Sequence, residues 1–133
     1  MPDPDPVTPL AAVPFAVELG VTLAEASRDR VVAHLAWSAR LSTLGGALHG
    51  GALMTLADTA GAVCAHLNLP PGAATATVES GTRFFRAVRS GAVRAESRPL
   101  HTGRSFTVVE TRLYDDEGRE VGRTTQTQAV PAR

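Results

Sequence analysis

The stretch from about Gly50 to Leu67 limits most strongly how this chain can fold. It holds no proline, is dominated by alanine, leucine, methionine and valine, and carries apolar residues all round instead of along one stripe. A helix of that pattern offers little to water and has to be surrounded. Asn68-Leu69-Pro70-Pro71-Gly72 ends it, because two successive prolines cannot continue an α-helix and glycine permits the turn. With 133 residues, about one ordinary domain, the rest of this chain must supply the wrapping.

That wrapping reads as sheet. Val31, Ala33, Leu35 and Trp37 alternate with Val32, His34 and Ala36, which predicts a strand over residues 30–37. After Gly72 four more strands are expected, over residues 74–86, 92–101, 105–114 and 119–130. Arg89-Ser90-Gly91, Thr102-Gly103-Arg104 and Asp115-Asp116-Glu117-Gly118 separate them as short turns, so the strands form an antiparallel meander. Residues 10–19 suit a short helix stopped by Gly20, although Pro14 sits badly in a helix interior. The expected class is α+β, a five-stranded antiparallel sheet wrapped around one long central helix. Residues 10–133 form this domain, and the Pro- and Asp-rich residues 1–9 are expected to be a disordered tail. A sheet this small has edges to cover, and dimerisation by sheet extension would cover one.

Composition excludes several classes. Hydrophobic residues make up 44% and charged residues 20%, so the chain is globular and not disordered. Formal charge is zero, which argues against a nucleic-acid partner held by phosphate contacts. No apolar run approaches the roughly 18 residues of a membrane span, and Asp3 and Asp5 follow Met1 where a secretory leader would be positive. A lone cysteine, Cys64, forms no internal disulfide or CxxC metal clip, so a soluble cytoplasmic protein is expected. All 13 basic residues are arginines, and Arg83, Arg86, Arg89, Arg94, Arg98 and Arg104 fall in a stretch whose only acid is Glu96. Arginine grips phosphate through paired hydrogen bonds, which fits a phosphorylated ligand.

The common catalytic motifs are missing: no G-x-S-x-G, HExxH, P-loop or GxGxxG occurs. Cys64 reads as a small buried filler among Ala62, Val63 and Ala65. Asp58 stands out, the only acid between Asp29 and Glu79, placed mid-helix among Leu56, Ala57, Ala60 and Gly61. A carboxylate there has either a neighbouring hydroxyl (Thr55 or Thr59), a wet crevice, or a function. Gly50 and Gly51 leave the first-turn N–H groups of the same helix open, a ready anion or oxyanion site. Gly50 and Asp58 are eight residues apart, about 12 Å along one helix. One substrate carbonyl cannot meet both in the same chain, so a joint site must draw them from two subunits.

Leu48-His49-Gly50-Gly51-Ala52 followed by Leu56-Ala57-Asp58-Thr59-Ala60 resembles the signature of hotdog-fold acyl-CoA thioesterases of the PaaI type, in the 4-hydroxybenzoyl-CoA thioesterase-like superfamily. The similarity extends through Arg83-Phe84-Phe85-Arg86-Ala87-Val88-Arg89-Ser90-Gly91 and His101-Thr102-Gly103-Arg104. It implies a homodimer or homotetramer that hydrolyses acyl-CoA without metal or any cofactor beyond the coenzyme A of its substrate. It implies further that the Gly50 N–H polarises the thioester carbonyl and that Asp58 of the partner acts as general base or nucleophile. His49 would brace the loop, and Thr77 would lie near the attacking water. Coenzyme A would be held by Arg86, Arg89, Ser90 and Gly91 and by Gly103, Arg104 and Ser105. Six residues before His49 the family usually has Asn or Gln, where this chain has Thr43. Two other functions share the residues: a hotdog hydratase or dehydratase, which would need a histidine partner for the acid, and a non-catalytic acyl-CoA sensor, which would not need Asp58. His34, His66 and His101 read as structural.

Overall fold

The computed structural model of the protein describes residues 10–131; the expected tail at residues 1–9 lies outside them. In chain order the elements are α1 (Pro14–Leu19), β1 (Thr22–Ala26), β2 (Val31–Ala36), a 3-10 turn (Ala39–Leu41), α2 (Gly50–Leu67), β3 (Ala76–Phe84), β4 (Ala92–Thr102), β5 (Phe106–Tyr114) and β6 (Glu120–Ala129). Among the described residues the strands form one sheet of six, in the order β1-β2-β4-β5-β6-β3, with every neighbouring pair antiparallel.

The sixth strand corrects the expected five. Thr22–Ala26 escaped the sequence pattern because it is an edge strand with no buried residue, so its apolar and polar positions do not alternate. A bulge between Leu23 and Glu25 breaks the period further. Pro14 does not interrupt a helix, because α1 begins there: proline's missing N–H is harmless at the first helical position. Gly20 ends α1 in the left-handed conformation at φ 98°.

α2 packs against β2, β4, β5 and β6. Leu56, Ala57, Ala60, Cys64 and Ala65 on the helix meet Val31, Leu35, Val93, Val109, Leu113 and Val121 from the sheet to form the core. In β5 the expected alternation holds, with Val109 and Leu113 buried and Phe106 and Tyr114 on the other face. The helix is not covered all round, however. Gly51, Met54, Asp58 and His66 remain exposed, with Thr55 and Ala62 half-covered between them, so one stripe of α2 is left open by its own sheet. β3 is bare as well: it bonds to β6 on one side, its other edge is unpaired among the described residues, and it buries no residue.

Candidate active site

The site is built on the two ends and the open stripe of α2. At the N-terminus, His49 is the cap residue with extended backbone (φ −61°, ψ 136°), and its Nδ1 accepts the Gly51 N–H at 2.8 Å. An imidazole thus does what Ser or Asp does at most helix starts. Gly51 also leaves room for the cap, since a Cβ there would lie 3.0 Å from His49 Nδ1 and press on the ring. This amends the expectation that both glycine N–H groups are open: Gly51's is taken by the cap. Gly50, at the first helical position, has no carbonyl one turn earlier to bond, so its N–H is the one left to point at a ligand. The Phe84 ring lies over it, with Cζ 3.3 Å from the position a Cβ would take. Gly50, Phe84, Phe85 and Arg86 line one open cleft of about 360 Å³.

Thr43 lies in the loop before this helix, its N–H bonded to Ala47 O at 2.7 Å and its carbonyl to Gly46 N at 3.0 Å. A bridge between Ser42 and Leu48 closes the loop, and Leu48 N bonds Val88 O at 2.8 Å, which ties it to the segment after β3. That segment carries Arg86, Arg89 and Ser90, all exposed, and Gly91. Gly91 has φ 73°, and a Cβ on it would collide with the Asp116 carboxylate; both demands select glycine.

Asp58 lies two turns along the open stripe. Its outer side reaches solvent, while its inner side receives a hydrogen bond from Gln126 Nε2 at 3.3 Å. Desolvation raises its pKa above the ordinary carboxylate value, and the Gln126 bond opposes that rise in part. Thr55 is not its partner, since the Thr55 hydroxyl bonds Gly51 O at 2.9 Å. Asp58, Ala62, Val63 and His66 line a largely apolar cleft of about 370 Å³ together with Val13 and Thr75. Thr77 sits beside a bulge in β3, where Val78 is the extra residue, and its hydroxyl oxygen accepts from Gln128 Nε2 at 2.6 Å. Its own proton is thereby left for another acceptor.

These residues fall into two groups at opposite ends of the sheet. Gly91 precedes β4 and Gly103 follows it, so Arg86, Arg89 and Ser90 are separated from Gly103, Arg104 and Ser105 by an 11-residue strand, roughly 33 Å at the usual rise. His49 and Gly50 belong with the first group through the Leu48–Val88 bond. Thr75 and Thr77 belong with the second, because Thr75 Oγ1 bonds Ala129 O and Val130 N bonds Ser105 O. Asp58 leans toward that second end through Gln126. Among the described residues, no three His, Cys, Asp or Glu side chains gather as metal ligands, and no helix is long and apolar enough to cross a membrane.

Nothing in the sequence marks Gln126, Gln128 or Gly61 as functional. In Thr124-Thr125-Gln126-Thr127-Gln128 both faces of the strand are polar, so alternation gave no hint that Thr124, Gln126 and Gln128 are buried.

The sequence profile of the thioesterase superfamily matches residues 45–122. The chain belongs to that superfamily. It is a thioester hydrolase with the hotdog arrangement of long helix and antiparallel sheet expected from its sequence. Proofreading thioesterase EntH of Klebsiella pneumoniae is 36% identical over 101 residues, 76% of this chain and 74% of that protein. The putative esterase Rv1847 of Mycobacterium tuberculosis is 32% identical over 126 residues, 92% of this chain and 90% of the relative. A solved structure of Rv1847 superimposes with a TM-score of 0.86 at 30% identity, covering 91% of this chain and 99% of that one. A mutant form of thioesterase PA1618 from Pseudomonas aeruginosa reaches a TM-score of 0.89 at 28% identity, covering 96% and 94%.

Proposed function

We propose that the chain hydrolyses acyl-CoA thioesters at a site shared between two copies, with the Gly50 N–H of one copy on the carbonyl and Asp58 of its partner as general base for water. The separation of the two groups along α2 carries this reading: about 12 Å is too far for one carbonyl and its attacking water. Two antiparallel copies would bring each Gly50 opposite the partner's Asp58. The same operation would bring the Arg86–Gly91 end of one chain to the Gly103–Ser105 end of the other, which suits a ligand with several phosphates. The unpaired edge of β3 and the open stripe of α2 provide the surface for such a dimer. A homodimer is therefore the minimal unit, and a homotetramer its expected assembly.

In this reading the attack proceeds as general-base hydrolysis. Asp58 takes a proton from water while the water oxygen bonds the thioester carbon, and the charge developing on the carbonyl oxygen meets the Gly50 N–H at the positive end of α2. The tetrahedral intermediate then collapses with loss of the thiolate, which leaves as coenzyme A after protonation. A carboxyl whose pKa is raised by desolvation suits the base role, since its proton affinity lies nearer the working pH. His49 braces the helix start, Thr77 offers a hydroxyl to the water, and the apolar cleft beside Asp58 receives the acyl group.

The test is Asp58→Asn assayed against acetyl-, hexanoyl-, benzoyl- and phenylacetyl-CoA, with the same acyl groups on N-acetylcysteamine for comparison. Hydrolysis should fall by at least about a hundredfold on every substrate turned over by the unmodified chain, and the CoA forms should be preferred over the truncated thioesters. Unchanged turnover in a folded Asp58→Asn chain would overturn the mechanism, and equal rates on CoA and truncated thioesters would overturn the CoA assignment.

A further inference from the structure

We infer that Gln126, admitted to the core by the missing side chain of Gly61, is a positioning residue for Asp58. This rests on the reading of Asp58 as the reacting carboxylate. Gln126 lies on β6, opposite Ser80 of β3 and Val109 of β5, and is almost fully buried. Its Nε2 donates to Asp58 Oδ1 at 3.3 Å, while its Oε1 is buried with no hydrogen-bond partner among the described residues. A purely space-filling position would be better served by leucine or methionine, which bury no orphan oxygen. What the amide contributes here is the donated bond to the carboxylate.

Gly61 completes the arrangement. A Cβ on it would stand 2.0 Å from Gln126 Oε1 and 2.6 Å from Cδ, so any side chain at position 61 expels the amide from its present place. Glycine in the interior of an 18-residue helix is otherwise unfavourable, and no turn or positive φ requires it there. Two residues along the same face of β6, Gln128 holds Thr77 in the same manner through its Nε2. Strand β6 thus presents one glutamine to each of the two polar groups at this end of the site.

An N–H aimed at one carboxylate oxygen fixes the carboxyl plane and leaves the other oxygen for a water. It also favours the ionised form, against the desolvation that disfavours it. Around Asp58, the cleft walls contributed by the segment before α1 and by residues 73–75 are Ala12, Val13, Ala73, Ala74 and Thr75, none ionisable. Gln126 and Gln128 from β6 are neutral. On α2 itself the only titratable neighbour in the cleft is His66.

The experiment compares Gln126→Met and Gly61→Ala with the unmodified chain. The probe is hexanoyl-CoA or benzoyl-CoA, whichever the unmodified chain hydrolyses faster, and kcat/KM is followed from pH 5 to 9 alongside thermal melting. Methionine keeps the length of glutamine and packs without a donor; alanine at 61 leaves Gln126 in the sequence but displaces it. Both variants should lose about tenfold in kcat near neutral pH with KM held within about twofold. Both should also move the acid limb of the profile upward by about one unit. An unchanged acid limb in folded Gln126→Met makes Gln126 a core residue and overturns the proposal. If Gln126→Met does not fold, Gly61→Ala decides in the same way, and a normal profile there overturns it. Asp58→Asn separates the two readings: an inactive Asp58→Asn with a normal Gln126→Met sinks only the positioning role, whereas an active Asp58→Asn sinks the site itself.

Discussion

Gly50→Pro isolates a single backbone hydrogen. Proline lacks the N–H, and the first position of a helix is where that loss does least harm. The geometry around it is already compatible: His49, which would precede the proline, has φ −61° and ψ 136°, in the extended region that prolines require of their neighbour. The new Cβ would meet Phe84 Cζ at 3.3 Å, and that ring is 48% exposed and free to give way. The stability change should therefore be about 1 kcal/mol or less. Removing one oxyanion donor costs about 2.7–4 kcal/mol of transition-state stabilisation, so kcat should fall about 10²–10³-fold. Gly50→Ala is the control, since it makes the same contact with Phe84 and keeps the N–H. Release of coenzyme A thiol, read with an aromatic disulfide reagent and paired with a melting curve, measures both effects. A folded Gly50→Pro within about threefold of the unmodified rate would refute the oxyanion role. Mixing Gly50→Pro with Asp58→Asn extends the test. With free exchange, half the dimers are mixed and each mixed dimer holds one intact site, so about a quarter of full activity should return. A verified mixed dimer with no activity would refute the shared site.

Asp58→Asn should also raise the melting temperature at pH 8 and change it little at pH 4. The folded-state pKa of Asp58 is raised, so the native state binds the proton more readily than the unfolded chain. The group's contribution is then most favourable below its unfolded pKa and is lost as pH rises through the folded value. Equal melting shifts at the two pH values would contradict that sign. Burial pushes the Cys64 thiol up to about 12, so the native protein should stay unlabelled by iodoacetamide at pH 8 and take up one equivalent only on unfolding. Labelling of the folded chain at the rate of a free thiol would show the core opening locally.

The central helix was legible because its signals are local: an apolar run, a glycine pair before it, two prolines after it. The later strands were legible because their turns carry Gly and Asp at short spacing. β1 was not, since an edge strand with no buried residue has no periodicity to read. Asp58, Gly50 and His49 stood out as chemical exceptions within a regular element, which is how a sequence exposes a site. Gln126 and Gly61 are 65 residues apart and meet only through packing; neither departs from its own surroundings until the other is placed against it. The open stripe on α2 was equally hidden, because composition counts apolar residues without telling which of them the chain's own sheet can reach.

The bare strand β3 has a consequence for how the molecule comes together in time. Among the described residues Ala76–Phe84 pairs with β6 alone, and Ala76 finds its register opposite Ala129, more than fifty residues further on. A growing chain would hold β3 without a hydrogen-bonded neighbour until nearly all of the sheet had been made. No burial anchors it even then, so the amides on its unpaired edge should be among the first to exchange with deuterium in a monomer. Protection of those amides would report the arrival of a second chain, on the very strand that carries Thr77 at one end and Phe84 at the other.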